Sequence, residues 1–139
     1  HSPERVPLSG LWQVAPDQPR GSVRMSDPGS VESAILTLDA ELEEVTDAYA
    51  LAAQQAAEAE STYRLEKAKA LLQVDGRNAE EREAKALAYK VGEQTIGDLL
   101  FLRNARESVA QGYLERMRSV RARLSAQQSL LRNYQEVAG

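Results

Sequence analysis

Between Val31 and Tyr63 the residues Val31, Ile35, Leu38, Leu42, Val45, Tyr49, Ala52, Ala56, Ala59 and Tyr63 follow one another at alternating steps of four and three. Steps of that kind average three and a half residues, the period at which an α-helix returns one stripe to a partner helix. The segment is therefore committed to a long helix packed along a heptad seam, and a strand, with its period of two, is excluded. The middle of the seam is mostly alanine (Ala50, Ala52, Ala53, Ala56, Ala57, Ala59). Two helices can approach closely there, or bulky side chains from another helix fill the space. Of the chain's 139 residues 42% are hydrophobic and only 5% aromatic. Since alanine favours helix but buries little area, stability must come from many small contacts along long helices rather than from a thick core.

Punctuation fixes the ends of this helix. Asp27-Pro28-Gly29-Ser30 precedes it, with Ser30 as the expected N-cap. The helix stops at Val74-Asp75-Gly76-Arg77-Asn78, where Gly76 is expected to take the left-handed conformation that ends a helix. Asn78 then caps a second helix whose first turn holds Glu80, Glu81 and Glu83. A turn this short makes the flanking helices antiparallel neighbours. The predicted fold is all-α: a long antiparallel helical hairpin of coiled-coil type over residues 30–139, turning at residues 74–78. The second helix is expected over about residues 79–137, with apolar positions including Leu99, Leu102, Ala105, Val109, Tyr113, Met117, Val120 and Leu124. Steps of 4, 4 and 3 from Val109 to Val120 read as a stutter. Gly92 and Gly97 mark residues 92–97 as the place for a kink or break, and Thr95-Ile96-Gly97-Asp98 has the form of a capping box. Residues 1–29 carry all five prolines and are read as an extended arm, whose Leu8, Leu11, Trp12 and Val14 are candidates to dock on a helical surface. A start at Met25 would make the residues before it an upstream extension or a tag remnant.

The net charge of -4 is unevenly distributed. Nine acids face Arg64 alone between Val31 and Glu66, whereas Arg103 to Gly139 holds seven arginines and three acids. Folding back at Gly76 sets residue i opposite residue 152 minus i, so the acidic and basic flanks pair across the hairpin and help fix its register.

Most chemistries are disfavoured by composition. The chain has no cysteine, which removes thiol catalysis, disulfides and cysteine-ligated zinc. Its one histidine, His1, makes histidine-based catalysis or a histidine metal site untenable. Glu80, Glu81 and Glu83 read as a solvated helix start rather than a cation site, no phosphate-binding glycine loop occurs, and no apolar run of about 18 residues exists to span a membrane. No catalytic residue, metal, cofactor, membrane or small-molecule substrate is expected, and the expected location is the cytoplasm of a host cell, or a virion if the role is structural.

Two features are candidates for binding. Arg116, Arg118, Arg121, Arg123 and Arg132 carry fixed charge on planar forks suited to phosphates, although pairing with the acidic helix accounts for part of them. Leu99, Leu100, Phe101 and Leu102 form an apolar run too broad for a two-helix seam, and with Leu131 and Tyr134 they are the candidate oligomer or partner interface. Tyr49, Tyr63 and Tyr113 fall in the seam and are expected in the core.

The stretches from Tyr63 to Leu72, Asp75 to Ala84 and Val120 to Arg132 resemble a group of small helical proteins of bacteriophages and prophages of high-GC bacteria. Members are often encoded near replication or recombination genes. The resemblance implies a non-enzymatic, oligomeric accessory or adaptor protein acting with single-stranded DNA or a recombination protein. Alternatives of other classes are a structural virion component, such as a scaffold or connector, and an inhibitor that binds a host protein.

Overall fold

A computed structural model describes residues 27–138. The expectations for the arm before Asp27, including docking of Leu8, Leu11, Trp12 and Val14, lie outside the described residues. The protein is all-α, with two long helices packed together: α1 (Pro28–Leu71), a short α2 (Ala79–Ala88), a two-stranded ribbon of β1 (Lys90–Val91) and β2 (Gln94–Thr95), and α3 (Ile96–Ala138). The described residues divide into two compact units, one of residues 37–125, the other of residues 27–36 with 126–138.

Asp27, not Ser30, caps α1. Its carboxylate accepts a hydrogen bond from the Ser30 amide at 2.7 Å, and its carbonyl accepts from the Val31 amide. Pro28 then occupies the first helical position, where its missing N–H costs nothing and its fixed φ suits the helix. α1 ends by tightening, with the Leu72 and Gln73 amides reaching back three residues to Lys69 and Ala70. Gly76 corrects its expected role, because among the described residues only Gly92 has a positive φ. What position 76 requires is room: a Cβ there would lie 2.7 Å from the Arg82 backbone nitrogen. Asn78 caps α2 as expected, its side-chain oxygen accepting from the Glu81 amide at 2.8 Å.

Of the kink or break expected at residues 92–97, the second helical stretch shows a break. α2 ends at Ala88, and Lys90 pairs with Thr95 and Val91 with Gln94 in an antiparallel ribbon. The Gly92-Glu93 turn has Gly92 at φ 66 in its first central position, the arrangement of a type II′ hairpin. The Ile96 amide closes the base of the ribbon on the Tyr89 carbonyl. α3 then starts on the anticipated capping box: Thr95 Oγ1 accepts from the Asp98 amide at 3.0 Å, and Asp98 Oδ2 accepts from the Thr95 amide at 2.9 Å.

Within residues 37–125 the core is one cluster and a row of buried residues beyond it. Tyr63, Ala70, Ala86, Ile96 and Leu99 are buried together where α1, α2 and α3 meet, with Leu71, Val74, Leu87 and Leu100 around them. Further along, Leu38, Val45 and Ala52 of α1 and Met117, Val120 and Leu124 of α3 are buried. Burial on α1 therefore recurs every seven residues to Ala52, then steps eleven residues to Tyr63 and seven to Ala70. That longer step is a stutter, and it lies in α1. The irregularity expected at Val109 is absent, since Val109 is 52% exposed and the α3 seam passes through Ile96, Leu99, Arg103, Arg106, Ala110, Tyr113 and Met117 in unbroken steps of three and four.

The ribbon also resets the register. A simple fold-back predicts Glu60 opposite Gly92 and Gln55 opposite Gly97, but Glu60 meets Arg103 at 2.8 Å and Gln55 meets Arg106 at 2.9 Å. Before the ribbon the simple rule works, as the Lys67–Glu83 ion pair shows. Residues 89–95 are taken up in the ribbon without advancing α3 along α1, so the later partners are displaced by between five and twelve residues.

Among the described residues of the other unit Val31 is fully buried, and Glu32, Ile35, Leu36 and Leu131 line a shallow recess.

Candidate partner-binding face

The arginines singled out from the sequence are not one patch. Arg116 and Arg123 each reach the same carboxylate oxygen of Glu41 at 3.5 Å, so two cations share one acid. Arg118 pairs with Glu115 on its own helix at 3.0 Å. Arg121 is exposed and makes no ion pair among the described residues, while Arg132, in the other unit, donates to Ser129 Oγ at 3.1 Å. Their spacing explains the scatter, because residues 116 and 118, like 121 and 123, differ by about 200° around a helix.

The apolar candidates separate in the same way. Leu99 is buried in the core beside Ile96 and is not an outward surface, which corrects its assignment to the interface. Leu100 is half-buried, Phe101 is 75% exposed and Leu102 is 38% exposed. Four consecutive residues fan around the helix, so they cannot all face one surface. Leu131 and Tyr134 are half-buried. Tyr63 is buried and Tyr49 and Tyr113 are half-buried, as their seam positions predict.

Two residues missed by the sequence reading matter here. Arg103 occupies a seam position, pairs with Glu60 and Glu107, and stacks its guanidinium 5.2 Å from the centre of the Tyr63 ring. Its buried Nε lies close to Glu60 without an aligned hydrogen bond, so the contact is mainly electrostatic. Lys67 also lies over Tyr63, at 5.6 Å, and hydrogen bonding to Glu83 raises its pKa. Arg106, the other seam arginine, donates to the neutral Gln55 and makes no ion pair among the described residues.

The Arg103 contacts with Glu60 and Tyr63 lie on one flank of the seam, and the Arg106–Gln55 contact lies on the other, a broad side of residues 37–125. Gln55, Glu58, Ala59, Thr62, Leu99, Leu102 and Arg106 line a common open groove. Leu51 is one turn before Gln55 and a heptad before Glu58; Val109 is a heptad beyond Leu102 and a heptad before Arg116. All of them fall on this side. Leu51 is 58% exposed, so with Leu102 and Val109 the side carries three large apolar residues in water. No metal-binding group of acids occurs among the described residues, and none of their helices is long and apolar enough to cross a membrane. Comparison with protein families, with curated proteins and with solved structures gives no match.

Proposed function

We propose that this chain is a non-enzymatic, oligomeric adaptor built as an antiparallel coiled-coil hairpin, of the phage or prophage accessory type that its sequence resembles. The observation that carries the reading is the exposed apolar set Leu51, Leu102 and Val109, which stands outside the seam on one side of the packed long helices. Apolar groups grouped in this way favour burial against another protein surface. The descending order of partners, with Arg103 on Glu60, Arg106 on Gln55 and Arg116 on Glu41, supports the antiparallel hairpin.

A second reading, contact with single-stranded DNA, draws on Arg121, which has no ion pair among the described residues, and on the exposed Arg118. Light scattering with and without a single-stranded oligonucleotide, at low and high salt, tests both. The adaptor reading expects a mass above that of one 15.3 kDa chain under all conditions. Oligonucleotide uptake that disappears at high salt and in Arg118→Glu with Arg121→Glu would add the nucleic-acid role. A monomer under every condition would remove the oligomeric reading.

A further inference from the structure

The broad side just described divides by charge. α1 carries no lysine or arginine from Pro28 to Tyr63, and on this side it presents Glu41, Glu44 and Glu58. α3 presents Arg106, Arg116 and Arg123. Compensation within the chain is incomplete: Arg116 and Arg123 share Glu41, Arg106 meets only Gln55, Glu58 contacts the neutral Gln54, and Glu44 makes no ion pair among the described residues. The side is thus acidic along one helix and basic along the other, with Leu51, Leu102 and Val109 between them.

A second observation falls on the same side. Gly112 lies inside α3, one turn beyond Val109 and one turn before Arg116. A glycine there weakens the helix relative to alanine. Nothing described in the chain requires it, since a Cβ at this position would meet no heavy atom within 4 Å. It is conformationally ordinary, with no positive φ. A gap of this kind on a surface helix suits the close approach of another backbone.

We propose that this side is the contact surface of a two-fold homodimer in which the acidic α1 of each copy lies over the arginine-bearing α3 of the other. The inference rests on the antiparallel hairpin proposed above. Two hairpins placed face to face can be related by a two-fold axis along the helices or by one across them. The axis across the helices sets α1 on α1 and α3 on α3, opposing like charges. The axis along the helices sets α1 over α3 at the same level, so Glu58 of one copy meets Arg106 of the other and Glu44 comes between Arg116 and Arg123. Each contact then occurs twice, as an isologous interface requires. The apolar residues are covered together, and the small side chains of Ala48, Ala59 and Gly112 allow the helices to close in.

The test is molar mass by light scattering across a dilution series, with circular dichroism to follow the helix. Wild type is expected to be a dimer. Arg106→Glu and Glu58→Arg are each expected to weaken the dimer at least about tenfold, because reversal replaces two attractions with two like-charge contacts. The double variant is expected to recover wild-type association. Gly112→Leu separates interface from fold: it should raise the melting temperature of the dilute monomer, where the helix gains a better residue, and abolish the dimer. A wild-type monomer would overturn both this proposal and the oligomeric adaptor. An oligomer that ignores Gly112→Leu and the charge reversals would overturn this face alone and leave the adaptor reading standing.

Discussion

Arg103 shows how a charged residue can hold a core position in a chain with little bulk to bury. Its seam position faces Tyr63, and the guanidinium lies over that ring while Glu60 and Glu107 balance its charge. Partly buried ion pairs lose desolvation energy that an apolar side chain would not, so their net contribution is small. Glu60 also pairs with Arg64 and would not be orphaned if Arg103 were removed. Arg103→Leu should therefore leave urea-unfolding stability unchanged or raise it by about 1 kcal/mol. A loss of about 2 kcal/mol or more would mean that the pair and the ring contact are worth more than this argument allows. At the helix starts, the Ser30 amide holds the Asp27 carboxyl below its ordinary value, and the Arg77 hydrogen bond, followed by Lys85, does the same for Glu81. A depressed carboxyl stabilises the fold above its unfolded pKa and loses that contribution as pH falls through its folded value. Acid titration below about pH 4 should thus loosen both helix starts, and Asp27→Asn, which keeps an acceptor but does not titrate, should flatten the response followed by amide exchange near Ser30.

At the scale of elements the ribbon of residues 90–95 decides the geometry. Thr95 and Asp98 satisfy one another's amides, and Gly92 takes the one left-handed position, so two local devices stop α2 and start α3 at a fixed place. Thr95→Ala removes one cap acceptor and is expected to cost about 1 kcal/mol in chemical denaturation. Gly92→Ala forces a side chain into the left-handed region and should cost a similar amount, about 1 kcal/mol. If both variants matched wild type, the ribbon would not be fixing the register. The capping box and the Asn78 cap were legible because each depends on a few neighbouring residues. The ribbon was not, although Val91-Gly92-Glu93-Gln94 contains the glycine-first signal of a type II′ turn; the helical periodicity on both sides masks it. The α3 seam was misread for a related reason. An apolar pattern search takes Leu102, Ala105 and Val109 and passes over Arg103, whose fit depends on Tyr63 and Glu60, residues some forty positions away in sequence. The partner-binding side was legible only as scattered arginines and an apolar run, because its shape depends on the register that the ribbon resets.

Across residues 37–125 burial is uneven, and stability should follow it. The cluster of Tyr63, Ala70, Ala86, Ile96 and Leu99 gathers three helices, and Val45, Met117, Val120 and Leu124 are buried further along. Between them the seam offers Ala52, Ala53, Ala56 and Ala59 on α1 against Arg103, Arg106 and Ala110 on α3. Alanine removes far less apolar area from water than leucine or isoleucine, so this stretch contributes the least per turn. Local opening should start here, because few buried contacts need be broken to expose the helix backbone. Amide exchange in dilute protein is expected to be slowest at Tyr63–Ala70 and Ile96–Leu99, slow again around Val120, and fastest within the long helices at residues 53–59 and 104–112. Uniform exchange along both helices would show that the helices open as one body, and the alanine stretch would then not be a weak point. The same stretch carries Leu51, Val109 and Gly112 on its outer side, so association through that side would shield the least stable backbone of the unit. Protection at residues 53–59 and 104–112 should therefore rise with protein concentration, while protection at the three-helix cluster should not change.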